Sequence, residues 1–426
     1  MASRLAPSRD ETSWILYDVA NSAFVLVMVT AILPIYFKEV VSAGVPGAVA
    51  TSNWAFGNSI ASLLLAVLAP ILGTLADYRG RKKPFFLFFL CTGLLFTLAL
   101  VIPAPGQWRL CLAFYILARV GWAGANLFYD AFLVDVTTRE RMDRISARGY
   151  GLGYIGSVIP FTVIIALIMA AGIKDGLPPD MTRLGFIIVA GWWLLFSIPA
   201  ARRLRQKHYI EPSPRPLADS FRRLAETFAN IRGHRQVFIF LAAYFFYIDG
   251  VGTIISMATA YGHDLGFGAG LLIAVILFIQ IVAFPFTLLY GRLAERYGTR
   301  SMIMAGILVY ILVTLMSFSL PFIGSYSIRH ALFWVIALLV ASSMGGVQAL
   351  SRSYFGRLIP PEKSAEFFGF YNVCGKFSAI AGPLLLGVVS RLTGDTRWGV
   401  LAIVFLFAIG AWLLTLVEPR PDRVSR

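Results

Sequence analysis

Apolar residues fall along this chain in long runs separated by short polar breaks. Runs near 14–37, 53–76, 84–102, 108–136, 149–172 and 185–201 come first. After a polar stretch they resume at 237–260, 268–290, 301–321, 330–350, 366–390 and 397–417. A helix rises about 1.5 Å per residue, so roughly twenty apolar residues cross the hydrocarbon core of a bilayer. Six runs and then six predict an all-α membrane protein of twelve transmembrane helices. The expected layout is an N-terminal six-helix bundle over 1–201, a cytoplasmic linker over 202–236 and a C-terminal bundle over 237–426.

Composition agrees with that layout. The chain is 58% hydrophobic and only 14% charged, which excludes a soluble protein of this length. Its net charge of +15 would suggest nucleic acid on a soluble surface, so the placement of the charge decides its meaning. With the N-terminus placed in the cytoplasm, the segments on that side carry 28 Lys and Arg residues and the opposite loops carry 7. That bias sets both termini inside and makes the bilayer, not nucleic acid, the partner. The short loops point to a bacterial inner membrane. Cys91, Cys111 and Cys374 are scattered through apolar runs and form no metal or disulfide pattern. The first run contains Asp18 and Asn21 and no small-residue cleavage site, so it is not a cleavable signal.

The linker opens with Pro212, Pro214 and Pro216, and then reads as an amphipathic helix over 217–231 at the membrane surface. Apparent cofactor motifs do not survive their context. Gly151, Gly153 and Gly156 match a dinucleotide fingerprint, but inside a span and after no strand. Gly369 to Lys376 is one residue too long for a phosphate loop. No histidine lies deep in a span. No cofactor, metal or enzymatic activity is expected.

An ionisable side chain at the bilayer centre costs roughly 2.5–3.5 kcal/mol on insertion scales. Asp18, Arg119, Asp130, Asp249 and Lys376 lie within runs, so each must be paired or must face water. Asn21, Asn126 and Asn372 join them as candidates for substrate binding or proton coupling. Arg119, Asn126 and Asp130 stand at i, i+7 and i+11, on one helical face. Arg119 suits a substrate carboxylate, or else neutralises Asp18 or Asp130. Asp249 suits an ammonium group or a coupling proton.

Two loops repeat. Residues 73–83 read GTLADYRGRKK and 291–300 read GRLAERYGTR, each after the second run of its half. An internal duplication of this kind, giving two pseudo-symmetric bundles, is a recurring transporter plan. The first string resembles the loop signature of the major facilitator superfamily. Trp14 to Phe24, Asn126 to Leu133, Asp249-Gly250, Gln348 to Ser353 and Phe367 to Lys376 further resemble its vacuole-effluxer branch. The resemblance implies a secondary transporter that works by alternating access around a polar cavity between the halves, as a monomer. For eukaryotic members of the branch it implies release of amino acids from the vacuole.

The resemblance also assigns a gate. It implies that Asp77 sits on a helix N-terminus of the opposite half, that Arg81 pairs with Asp135, and that Gly73 belongs to the same signature. Glu295 stands where the second copy has lost its aspartate. Cations and anions together suit a zwitterionic amino acid as cargo. A peptide, sugar acid, drug or lysolipid stays open, as does a receptor or scaffold that no longer transports.

Overall fold

In the computed structural model the described residues are 6–172, 177–229, 233–267 and 269–418. Among them the chain folds as twelve long helices: α1 Arg9–Val41, α2 Gly47–Ala76, α3 Lys82–Ala99, α4 Trp108–Ala131, α5 Met142–Ala171 and α6 Pro179–Arg203, then α7 Arg235–Asp264, α8 Ala269–Tyr297, α9 Thr299–Ser319, α10 Tyr326–Leu358, α11 Ser364–Thr393 and α12 Thr396–Thr415. Eleven contain a described stretch long and apolar enough to cross a membrane. The remaining one, α11, is a 30-residue helix whose described apolar stretch is Ala381–Thr393. A short helix, Pro216–Ala229, lies in the linker and turns Leu217 and Phe221 outward.

Local chemistry explains the element ends. Ser8 and Glu11 form a capping box that starts α1, satisfying two of the N–H groups a helix start leaves open. Gly298, at φ 86°, opens α9 in a conformation that costs other residues energy. Within α1, Val25–Ala31 and Phe37–Val41 are π-helical, on either side of a short α-helical segment that holds Pro34. Proline has no N–H to give the regular ladder, so the backbone there must find another pattern.

By their contacts the residues form two compact units. One comprises Met1–Thr137, Leu152–Phe221 and Pro361–Gly369, and the other Thr138–Gly151, Arg222–Pro360 and Phe370–Arg426. The first turns of α5 thus belong with the second unit, and the first turns of α11 with the first. Within the first unit α1 packs on α6, α2 on α4, and α3 on both α4 and α6. Within the second, α7 packs on α12, α8 on α10, and α9 on both α10 and α12. The same pairing plan occurs twice, as an internal duplication requires.

Small residues allow the closest approaches. A Cβ on Gly121 of α4 would lie 2.3 Å from the backbone nitrogen of Gly93 on α3, so neither position admits a side chain. Outward faces carry exposed apolar side chains, such as Phe88 at 63% and Leu195 at 60%. In water such a surface would drive aggregation; in lipid it is solvated.

Candidate functional site

The signature loop builds a buried polar cluster in the first unit. Asp77 caps the end of α2 and is wholly buried. Its Oδ1 accepts from the N–H of Ala365 at 2.8 Å and its Oδ2 from that of Glu366 at 3.0 Å. These are first-turn donors of α11, which the helix itself cannot satisfy, and a negative charge is favoured there. Gly73 makes the approach possible: a Cβ on it would lie 2.4 Å from the carbonyl oxygen of Ala365. Burial pushes the Asp77 carboxyl up to about 7, against the pull of Lys82 and the two N–H donors.

The basic partner of Asp135 is Lys82, which corrects the expected pairing with Arg81. Lys82 Nζ donates to Asp135 Oδ2 at 2.7 Å and to Ser364 Oγ at 2.8 Å, and the side chains of both ionic partners are wholly buried. Arg81 stays exposed, its guanidinium 6.0 Å from the Tyr78 ring centroid. Arg81 precedes the first turn of α3 while Lys82 opens it, and that one-residue step turns the lysine inward.

The start of the linker closes over this cluster. Gln206 Nε2 donates to the carbonyls of Ala76 and Asp77, each at 3.2 Å. The N–H of Ile210 donates to the Asp77 carbonyl at 2.8 Å, and that of Arg79 to the Ile210 carbonyl at 2.9 Å, a short parallel bridge. Asp135 Oδ1 accepts from the backbone N–H of Lys207 and of His208, at 3.0 and 2.9 Å. The His208 ring nitrogen Nδ1 lies 3.1 Å from the same oxygen. Nothing in the linker's composition announced this role.

Among the polar groups inside spans of the first unit, Arg119 is half-buried on α4. It donates to Tyr115 Oη at 3.1 Å, and Tyr115 donates to Asn58 Oδ1 at 2.8 Å while its ring stacks on Trp54. Among the described residues no carboxylate pairs with Arg119. The suggested neutralisation by Asp18 or Asp130 is therefore not made. Asp18 and Asp130 are buried beside a box of aromatic rings, Trp14 and Tyr17 on α1 against Tyr129 on α4. Asn21 is spent on the Tyr17 carbonyl at 2.9 Å, and Asn126 stands half-buried two turns from Arg119.

In the second unit Asp249 on α7 is wholly buried; the Gly382 backbone of α11 approaches it, but neither carboxylate oxygen has a side-chain hydrogen-bond partner among the described residues. One turn later the buried Thr253 hydroxyl is also without one. Gly382 of α11 faces both: a Cβ there would lie 2.0 Å from Thr253 Oγ1 and 2.9 Å from Asp249 Oδ1. Asn372 is half-buried on α11, and the Lys376 side chain lies outside the described residues.

The second loop copy works differently from the first. Glu295 pairs with Arg144 at the start of α5 and caps no helix. Gly291 still repeats the close approach of Gly73, since its Cβ would lie 2.6 Å from Ala147 Cβ. A second buried acid of this unit, Asp143, accepts from Thr299 Oγ1 at 2.6 Å, from Ser353 Oγ, and from Arg357 at 2.8 and 2.9 Å. Arg352 is buried above the Tyr150 ring at 4.3 Å and donates to Ser146 Oγ at 3.0 Å. Asp143, Arg352 and Arg357 were not among the expected residues, although Ser351-Arg352-Ser353 stands in the sequence as a distinctive string.

A family model described as "Vacuole effluxer Atg22 like" matches residues 7–138 and 134–424. The MFS-type transporter YxiO of Bacillus subtilis (strain 168) is 46% identical over 423 residues, covering 98% of this chain and 96% of that protein. Autophagy-related protein 22 of Coccidioides immitis (strain RS) is 26% identical over 441 residues, covering 84% of this chain and 71% of that one. A solved bacterial homologue of the iron transporter ferroportin, in an outward-facing state, superposes with a TM-score of 0.69 at 14% identity, over 96% of this chain and 98% of that chain.

Proposed function

The chain belongs to the vacuole effluxer Atg22-like family of MFS-type transporters, and from that membership we propose that it carries a zwitterionic amino acid across the membrane by alternating access, coupled to a proton. The reading rests on Asp249: a carboxylate buried in a span, with no side-chain partner for either oxygen among the described residues, beside a hydroxyl that has none there either. An isolated ionised carboxylate is too costly there, so the group takes a proton or a cationic ligand. Arg119 is its complement, a cation within a span that among the described residues bonds a phenol, which in turn bonds an amide. In this reading Arg119 takes the substrate carboxylate, because its planar fork matches two oxygens, and Asp249 gains and loses the coupling proton.

The Asp77 cluster serves as the gate. Its bonds to the first turn of α11 hold one conformation and vanish in the other, so they set the balance between the two. The chain acts as a monomer in a bacterial plasma membrane with both termini in the cytoplasm, a placement supported by the distribution of its Lys and Arg residues.

Purified protein in liposomes tests the assignment with an amino-acid panel. Wild type is expected to accumulate a preferred amino acid when a proton gradient is imposed. Asp249→Asn keeps exchange of that amino acid across the membrane but no longer responds to the gradient. Arg119→Gln loses transport of every α-carboxylate in the panel. Gradient-driven accumulation by Asp249→Asn at the wild-type rate would remove Asp249 from the coupling step.

A further inference from the structure

Where α3 begins and α6 ends, an open groove of about 410 Å³ runs between Pro84, Leu87 and Leu204, with Lys83 and Arg205 at its rim. A second cleft shares Arg205 and continues along Arg202 and Arg203, with Asp10 as its acid. Lys83 is held in place by its bond to the Arg202 carbonyl at 3.1 Å. Among the described residues none of these four cations has an ion pair. The C-terminal end of α6 offers about half a negative charge, far short of balancing them.

Beside the groove the surface turns apolar. Phe88 and Leu95 on α3 are 63% and 62% exposed, and Leu194 and Leu195 on α6 are 52% and 60% exposed. The two helices pack together, and these exposed side chains make an apolar seam on the helices that carry the cationic rim at their ends. A soluble anion would use the rim and leave the seam bare.

The geometry points to a binding site for an anionic phospholipid, its phosphate held between Lys83 and Arg205 and its acyl chains laid along α3 and α6. Each basic residue near an anionic headgroup contributes attraction that salt screens only partly at such short range. The apolar seam adds the contact that distinguishes a lipid from free phosphate.

The full chain in neutral detergent tests this by thermal unfolding against phosphatidylglycerol, phosphatidylcholine of the same acyl chains, and inorganic phosphate. Phosphatidylglycerol is expected to raise the midpoint, and the other two are not. Lys83→Gln with Arg205→Gln is expected to weaken that response roughly thirtyfold in lipid concentration. The charge-matched Arg292→Gln with Arg296→Gln leaves it unchanged. Arg202→Gln with Arg203→Gln, on the exposed end of α6, gives a second weakened variant should the first fail to fold. An equal shift with phosphatidylcholine or with phosphate alone overturns the proposal. So does full retention in both groove variants.

Discussion

Lys82 Nζ and Asp135 Oδ2 lie 2.7 Å apart with no part of either side chain exposed. The pair is held in a web: Lys82 also bonds Ser364, and Asp135 also takes two linker N–H groups. Removing one partner strands the other charge, which typically costs about 3–5 kcal/mol. Lys82→Met and Asp135→Asn should each lower the unfolding midpoint sharply, and the double variant should lose less than their sum. Arg81→Gln, at an exposed position, should stay within roughly 0.5 kcal/mol of wild type. A melt of the four variants decides the matter, and a large loss in Arg81→Gln would contradict the assignment.

In the proposed gate, Asp77 carries a pH response whose sign follows from its carboxyl. Burial raises it from 3.8 to about 7, so between those values a buried Asp77 holds a proton that an exposed one has released. Proton binding therefore favours the latched state as pH falls from about 7 toward 4, and that advantage is lost as pH rises through about 7. Lys82 and Glu366 face the same carboxyl and oppose each other. Amide hydrogen exchange in 361–369, corrected for its intrinsic pH dependence, should be slower at pH 5.5 than at pH 8. Asp77→Asn should flatten the difference, and an unchanged slope in that variant would rule out Asp77 as its source.

Gly73 should not accept even a methyl group. The added carbon would meet the Ala365 carbonyl at 2.4 Å, and that oxygen is backbone, which cannot swing aside. Gly73→Ala is expected to push α2 from the first turn of α11 at a cost of about 1–3 kcal/mol. Faster exchange of the Ala365 and Glu366 amides is the direct readout. Gly80→Ala, where nothing crowds the new carbon but φ is 75°, should strain the loop without that local release.

Arg352 is expected to behave as a structural cation of the second unit. Its guanidinium lies over Tyr150 and bonds Ser146. Arg352→Ala should cost about 1–3 kcal/mol by leaving buried acceptors unmet, and Arg352→Lys should recover only part because a lysine lacks the planar fork. Thermal unfolding of the two variants ranks them. Equal stability of Lys and Arg would show that charge alone suffices.

The helices were legible because an apolar run of bilayer length has one reading, and the pairing plan of α1–α6 recurs in α7–α12 as the loop repeat implied. The burial of Asp249 was legible for a similar reason: an acid within an apolar run is conspicuous. Lys82 was not, since Arg81, Lys82 and Lys83 are chemically alike and only the first turn of α3 decides which one points inward. Asp143 was hidden among Arg139, Arg141 and Arg144, one acid in a basic run. Its partners Thr299, Ser353 and Arg357 come from distant positions, and no spacing rule joins them. Gln206 and His208 act through a short extended segment that has no periodicity to read.

The wide turns in α1 put a seam in that helix. A π turn closes its hydrogen bond over five residues instead of four, so it takes up an extra residue for little extra length. Side chains before Val25, Asp18 and Asn21 among them, follow one angular sequence, and those after Ala31 start a new one. A wheel drawn through all of Arg9–Val41 would therefore superimpose positions that the folded chain turns to different sides.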